Sequence, residues 1–257
     1  MSKIDELHRK AKKMEEFAWN SDHVIGFYIS GSYGKGMIHY RSDLDPVFIV
    51  SEGTKDVVRK DLISVCGDNN CDLYIVTLPE FEALTTKGTS DMGSDRYDYA
   101  HLEIPVDKTN GQIQKIIDQR GKISDEERQF LGTGYLDGYI NCFYRSLKAA
   151  REDWSLAKHL EASESVTLGL SFLFAIDRRV TPFSKYLEWE LSTHPLSFSM
   201  KLDDLVSTIR NILQTGDIGA QIFLFEAITD HARQAGFGQI VDDWENKPEE
   251  LVEEFRK

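Results

Sequence analysis

Short apolar runs alternate with helical stretches along the first third of the sequence. Three runs are rich in aromatic and β-branched residues and predict strands: Val24–Ile29, Val47–Val50 and Leu73–Val76. Two stretches repeat apolar residues at helical spacing: the N-terminal segment, through Leu7, Ala11, Met14 and Phe17, and Lys55–Val65. This alternation predicts an α/β-like layer within an α+β protein, with helices flanking a mixed sheet.

One more strand is predicted within YDYAHLEIPVDKTNGQIQKIIDQ, residues 97–119. Its first part alternates apolar and polar residues, and turn-forming residues follow at Asp107–Gly111. Together these features indicate a strand that ends in a hairpin-like return.

The pattern becomes helical after Gly121. Ser124 and Glu127 have the spacing of a capping box. One helical face then carries Phe130, Leu136, Ile140, Phe143 and Leu147. Further helices are predicted at Leu156–Arg179, Pro182–Ser192, Leu202–Leu213 and Ile218–Ala235, with Pro182 at the first helical position after the cap Thr181. We therefore expect two domains, 1–120 with the sheet and 121–257 as an all-α helical bundle.

Composition and charge narrow the functional classes. The chain has 257 residues, 41% of them hydrophobic and 28% charged, which is typical of a protein with a folded core. Its net charge of −13 repels phosphate backbones, and no block of lysine and arginine offsets it, so we expect no nucleic-acid partner. No apolar run is long enough for a bilayer and no secretory leader is recognisable, so we expect no membrane association.

The cysteines favour a reducing compartment. Cys66, Cys71 and Cys142 are odd in number and form no CxxC pair. This pattern argues against a disulfide framework and a structural zinc site, and it favours a cytoplasmic location.

Two aspartates stand at the head of the second predicted strand. Asp43 and Asp45 are two residues apart, so on a strand they project from the same face at a separation of roughly 6.5 to 7 Å. Carboxylates this close repel each other unless a cation neutralises them. Mg²⁺ suits such oxygen ligands and fills its remaining positions with water and substrate phosphate. The pair therefore predicts a magnesium site.

A glycine-serine turn precedes this pair by ten residues. Gly31 lets backbone amides approach an anion, and Ser32 offers a hydroxyl and its own N–H, so the turn is a candidate phosphate site. A third acid, Asp72, stands before the next predicted strand, and adjacent strands would bring all three acids to one sheet edge. Pro46 cannot donate to a ladder, so we expect it at a strand start, an edge or a bulge.

The order GS, ten residues, DLD and a later CDLYIV resembles the nucleotidyltransferase (DNA polymerase β-like) superfamily. The second half, with YLDGYINCFYRSLKAA and RRVTPFSKYLEWELSTHPL, looks like the bundle of kanamycin-nucleotidyltransferase-like proteins. The resemblance implies a nucleotidyltransferase-fold sheet in which Asp43, Asp45 and Asp72 bind metal and catalyse, while Gly31 and Ser32 hold nucleotide phosphates. It leaves Asp72 either completing a second metal site or deprotonating the acceptor.

The second half adds candidates for nucleotide contact. By the same resemblance, Lys148 or Lys185 meets the triphosphate. Asp137 shares a helical stripe with Lys148 and is the alternative general base. Tyr186 and Trp189 suit either adenine stacking or core packing.

The implied activity is Mg²⁺-dependent transfer of a nucleoside monophosphate to an acceptor hydroxyl, with release of pyrophosphate. AMP from ATP is the first expectation. A small molecule such as an aminoglycoside-like antibiotic is one acceptor class, and the acidic composition is compatible with a polycation. The alternatives are nucleotidylation of a protein partner and a non-catalytic nucleotide-binding regulator. The oligomeric state stays open.

Overall fold

A computed structural model describes residues 2–66, 73–86 and 94–256. The chain divides into two compact units, Met1–Lys122 and Ile123–Lys257. In the first unit the helices are α1 (Lys3–Asn20), α2 (Gly31–Gly34), α3 (Lys55–Cys66), α4 (Leu78–Thr86) and α5 (Gln112–Arg120). Its strands are β1 (Val24–Ile29), β2 (Pro46–Val50), β3 (Tyr74–Thr77) and β4 (Val106–Asp107).

The described strands form one mixed sheet in the order β3-β2-β1-β4. β1 pairs antiparallel with both β2 and β4, whereas β2 pairs parallel with β3, with Val47 opposite Tyr74. This confirms the predicted α+β class with a mixed sheet and flanking helices. The three predicted strands form within one residue of their expected limits, and Pro46 is the first residue of β2, as its missing donor requires.

Helices cover both faces of the sheet, so β2 is buried along its whole length. One face packs against α1 and α3 in a cluster that includes Leu7, Met14, Phe48, Val58 and Leu62. The other face packs against α4 and α5 in a cluster that includes Val47, Ile49, Phe81, Ile113 and Ile117. Successive residues of β2 enter opposite clusters because side chains alternate across a strand. Because β2 is buried on both faces, its first residue, Pro46, is held in a fixed position in the fold. The two acidic residues, Asp43 and Asp45, lie just before it in the sequence.

The predicted hairpin in residues 97–119 is wrong. Ser94–Tyr99 is a 3-10 helix, β4 contributes only two residues, and α5 follows in place of a return strand. The carboxylate of Asp107 accepts hydrogen bonds from the N–H groups of Thr109, at 2.8 Å, and Gln114, at 3.1 Å, so it caps the start of a helix. Turn residues that signal a hairpin are also those that start a helix.

The second unit is helical in its described part, apart from an isolated bridge residue at Arg179. Its helices are α6 (Asp125–Arg151), α7 (Ser155–Ile176), α8 (Leu187–Thr193), α9 (Leu202–Thr215), α10 (Ile218–Gln234), α11 (Gly238–Asp242) and α12 (Lys247–Phe255). The predicted capping box is confirmed, because Ser124 and Glu127 exchange side-chain and backbone hydrogen bonds at the start of α6. Inside the bundle, the ring of Phe143 stacks on Phe225 with centroids 4.1 Å apart.

Two details of the predicted bundle are wrong. Phe130 is 76% exposed and does not belong to the buried face of α6, because the six positions that separate Phe130 from Leu136 rotate its side chain about 120° away from that face. Pro182 does not begin a helix: a 3-10 turn spans Ser184–Tyr186 and α8 starts only at Leu187. Among the described helices, none is long and apolar enough to cross a bilayer.

Candidate functional site

The glycine-serine turn begins where β1 ends. Gly31 adopts a φ of +62°, a left-handed conformation that glycine reaches at little cost. The N–H of Gly34 donates to the carbonyl of Ser30 at 3.1 Å, and the N–H of Met37 donates to the carbonyl of Ser32 at 2.8 Å. A Cβ atom at position 34 would lie 2.3 Å from the carbonyl oxygen of Ile29, so glycine is needed there as well. The turn is therefore held by its own backbone.

The acidic pair lies immediately before β2. Asp43 is exposed and Asp45 is partly buried, while Leu44 between them is 0% exposed. The N–H of Ser30 donates to the carbonyl of Asp45 at 3.0 Å, which extends the antiparallel pairing of β1 and β2 beyond Ile29 and Pro46. The sheet itself thus places the turn beside the acids.

The carboxylate of Asp45 lies against the backbone of Gly31. A Cβ atom at position 31 would come within 2.1 Å of Asp45 Oδ2 and 3.2 Å of its Cγ. No other residue type fits at position 31 without displacing this carboxylate. Of the residues predicted for the site, the structure thus brings Gly31 and Asp45 into direct contact.

A second link joins the turn to the acidic loop through two hydroxyl groups. The Ser32 hydroxyl donates to the Ser42 hydroxyl at 3.2 Å, and the N–H of His39 also donates to Ser42 Oγ, at 3.0 Å. Ser42 directly precedes Asp43 and is only 6% exposed. Sequence reasoning missed this residue, and its one signal is a small polar side chain adjacent to the acidic pair.

Asp72, the third predicted acid, lies outside the described residues. The strand that follows it begins at Tyr74 and runs parallel to β2.

The lysine candidates lie on the second unit. The side chain of Lys148 is exposed, with its ammonium 5.4 Å from the ring centroid of Tyr144. Lys185 is also exposed, with its ammonium 4.6 Å from the ring centroid of Tyr186. The carboxylate of Asp137 accepts a hydrogen bond from Trp244 Nε1 at 3.1 Å, which gives this acid a structural role on the surface of the bundle.

The two aromatic candidates have different surroundings. Tyr186 is buried, which supports core packing over adenine stacking. Trp189 lines a cleft of about 750 Å³ between α8 and α9. Across this cleft, Arg210 donates to Glu188 at 2.6 Å.

One trio of side chains with metal-ligand chemistry occurs in the described part of the chain. The ligand atoms of Cys142, Glu161 and Glu164 lie within 4.8 Å of one another. Burial, reinforced by the negative charges of Glu164 and Glu161, raises the pKa of the Cys142 thiol to about 11. Arg145 pairs with Glu161 at 2.7 Å, so this carboxylate already has a cationic partner. Glu164 is exposed, and exposed acids often lie near one another without a metal, so we assign no metal site to this trio.

The two acids of the site in the first unit fit Mg²⁺ by their donor chemistry. Asp43 and Asp45 supply hard carboxylate oxygens of the kind that Mg²⁺ prefers. The missing side chain of Gly31 leaves the space that Asp45 Oδ2 occupies beside a serine-bearing turn. Carboxylates and a phosphate-binding turn at one sheet edge can hold a metal–triphosphate complex.

Comparison with known proteins gave distant structural similarity. No protein-family model matches the sequence, and no curated protein matches it either. Among solved structures, the chain is similar to the crystal structure of a nucleotidyltransferase-like protein from Exiguobacterium sibiricum 255-15. The two chains share 9% sequence identity with a TM-score of 0.43, over 91% of this chain and 78% of that one. The assignment of function therefore depends on the residues of the site themselves.

Proposed function

We propose that the protein is a Mg²⁺-dependent nucleotidyltransferase that moves a nucleoside monophosphate, AMP from ATP in the first instance, to an acceptor hydroxyl. The observation that supports this proposal is the contact between Gly31 of the glycine-serine turn and the carboxylate of Asp45, one of the two acids of the candidate site. An acidic side chain directly beside a candidate phosphate turn repels a triphosphate unless a cation is shared between them, which is the arrangement that a metal-dependent transferase requires.

In this proposal the glycine-serine turn binds the β- and γ-phosphates. The N–H groups of Ser30, Gly34 and Met37 already donate to backbone carbonyls within the protein. We therefore assign the phosphate contacts to the backbone of Gly31 and to the N–H of Ser32. The Ser32 hydroxyl, which donates to Ser42 in this structure, is assigned as a further contact that forms when its proton turns toward the phosphate. Hydrogen bonds from neutral donors to a charged phosphate contribute about 1.5 to 3 kcal/mol each.

In this proposal the two aspartates of the site bind the metal. Asp43 and Asp45 would bind Mg²⁺, which when bound neutralises the charge that develops on the triphosphate and the leaving pyrophosphate. Asp45 is held by the Ser30 backbone and the Gly31 contact, whereas Asp43 is exposed. Asp45 is thus the fixed ligand and Asp43 the adaptable one.

In the proposed transfer, the acceptor oxygen forms a bond to the α-phosphorus. The bond between the α-phosphorus and the bridging oxygen of pyrophosphate breaks, and the hydroxyl proton passes to a carboxylate. We assign this proton to Asp72 on sequence grounds. Asp72 stands two positions before Tyr74, and Asp45 stands two positions before Val47, the residue that pairs with Tyr74. Asp137, the alternative base, already accepts a hydrogen bond from Trp244.

The acceptor class is proposed to be a small hydroxyl-bearing molecule, with aminoglycoside-like polycations as the first compounds to test. The net charge of −13 attracts cations at long range, which favours them over anionic acceptors. If the acceptor is a protein, the same assay gives adenylated protein. If the protein is a non-catalytic regulator, the assay gives no product.

Pyrophosphate release tests the proposal. The purified protein is incubated with MgATP and a panel of aminoglycosides, other polyols and cell extract, and the products are identified by mass spectrometry. We expect stoichiometric pyrophosphate and an acceptor heavier by one adenylyl group, that is, by AMP less one water. Adenylated protein without a small-molecule product would indicate the protein-acceptor alternative. Absence of pyrophosphate with every acceptor would contradict the proposed nucleotidyltransferase activity.

A further inference from the structure

Ser42 is a buried hydroxyl with two donors directed at it. Its oxygen accepts from the N–H of His39 at 3.0 Å and from the hydroxyl of Ser32 at 3.2 Å. The N–H of Ser42 in turn donates to the carbonyl of His39 at 2.9 Å, so the residue is fixed at both its backbone and its side chain. A polar side chain held this firmly at 6% exposure has a defined orientation toward the turn.

The two hydroxyls have a second arrangement in which no heavy atom moves. Each hydroxyl has one proton and two acceptor positions, and the proton rotates to suit its partners. When Ser32 donates to Ser42, the Ser32 proton is not available to a phosphate. When Ser42 rotates its own proton toward Ser32 Oγ, it still accepts from His39, and Ser32 is able to donate to a phosphate oxygen.

We propose that Ser42 is a positioning residue for triphosphate binding: it exchanges the direction of its hydrogen bond with Ser32 and so presents the Ser32 proton to the phosphate. This inference rests on the proposed function, because it needs a phosphate at the turn. Ser42 touches no substrate atom itself. It acts by holding the Ser32 side chain in place. When Ser32 donates its proton to the phosphate, Ser42 donates a hydrogen bond to the Ser32 oxygen.

A double-mutant cycle tests this role. The affinity for MgATP in the form of a nonhydrolysable analogue is measured by calorimetry for wild type, Ser42→Ala, Ser32→Ala and the double variant. We expect Ser42→Ala to weaken binding about twofold to tenfold, the range of a single net hydrogen bond. In the Ser32→Ala background the same change should have a clearly smaller effect, because the contribution that passes through the Ser32 hydroxyl is already lost and only the bond from the His39 N–H remains to be removed.

Two controls separate positioning from folding. Ser42→Thr keeps the hydroxyl and should restore most of the affinity, while Ser207→Ala removes an exposed serine hydroxyl that donates to the carbonyl of Asp204 and should change nothing. Thermal unfolding of each variant shows whether the fold is retained.

The outcomes distinguish the two proposals. Additive losses in the cycle, or a Ser42→Ala variant with altered stability and unaltered affinity, would overturn the role of Ser42 and leave the nucleotidyltransferase proposal standing. Failure of the wild-type protein to bind the analogue at all would overturn both.

Discussion

The Asp45 carboxylate packs directly against Gly31, and a Cβ atom at position 31 would come within 2.1 Å of Asp45 Oδ2. This contact unites two segments that lie 14 positions apart in the sequence. It depends on the antiparallel pairing of β1 and β2, since the backbone bond from Ser30 to Asp45 continues that ladder. The sheet thus determines where the proposed site forms.

Gly31→Ala should weaken binding of the ATP analogue more than Gly36→Ala does, because it forces the Asp45 carboxylate to move. Both glycines have positive φ, +62° and +67°, so alanine at either position incurs a similar backbone cost of about 1 to 2 kcal/mol. Only at position 31 does the new methyl group meet the Asp45 carboxylate, because a Cβ at position 36 has nothing within 4 Å. Urea unfolding and analogue binding measure the difference, and equal effects of the two substitutions would refute the importance of the Gly31–Asp45 contact.

Glu80→Gln should destabilise the first unit in a pH-dependent way. The hydrogen bond from Lys55, followed by those from the N–H and hydroxyl of Thr77, lowers the pKa of Glu80 from 4.5 to about 2. Because the folded-state pKa is depressed, the ionised carboxylate adds stability above pH 4.5, and this contribution is lost as the pH falls toward about 2.

The measurement is the melting temperature of wild type and Glu80→Gln across this window. We expect the gap between them to be constant at neutral pH and to narrow below about pH 4.5. Glu103→Gln, at an exposed position, serves as the matched control. A gap that is independent of pH would show that the charge of Glu80 does not contribute.

Cys142 should resist alkylation in the native protein. Its side chain is 3% exposed, and the rise of its pKa from 9.0 to about 11 lowers the thiolate fraction about a hundredfold at neutral pH. Iodoacetamide labelling followed by peptide mass spectrometry reports each cysteine separately. Cys142 should react only after unfolding in denaturant, and labelling at the rate of an ordinary exposed thiol would contradict its burial.

Lys148→Ala should weaken analogue binding by about 1 to 3 kcal/mol if Lys148 makes a charge-assisted contact with the triphosphate. Lys185→Ala tests the second candidate in the same way, and Lys12→Ala, at an exposed position on α1, is the control. Unchanged affinity in a lysine variant would assign that lysine to the solvated surface of the bundle.

Features that depend on residues close together in the sequence could be predicted, and features that depend on tertiary packing could not. The capping box of Ser124 and Glu127 and the start of β2 at Pro46 are local, and both were predictable. The structure of the region after Asp107 was not predictable, because the same turn residues occur at the start of a helix and in a hairpin. The burial of Ile113 and Ile117 in the core favours the helix, and this depends on tertiary packing.

The same distinction applies to the candidate site. Its residue types and spacing are visible in the sequence from Gly31 to Asp45. The packing of Asp45 on Gly31 and the hydroxyl pair of Ser32 and Ser42 depend on how β1 and β2 align, which no local pattern encodes. The role of Ser42 therefore emerged only from the fold.

Calorimetric titration with a nonhydrolysable ATP analogue, with and without Mg²⁺, tests the central claim most directly when wild type is compared with Asp45→Asn. Asparagine preserves the shape that packs on Gly31 and removes the charge, and Asp22→Asn, at an exposed position, controls for net charge. We predict Mg²⁺-dependent binding by wild type and Asp22→Asn, and a loss of at least about tenfold in Asp45→Asn with the fold intact. Binding that is independent of Mg²⁺, or equal affinity in wild type and Asp45→Asn, would contradict the claim.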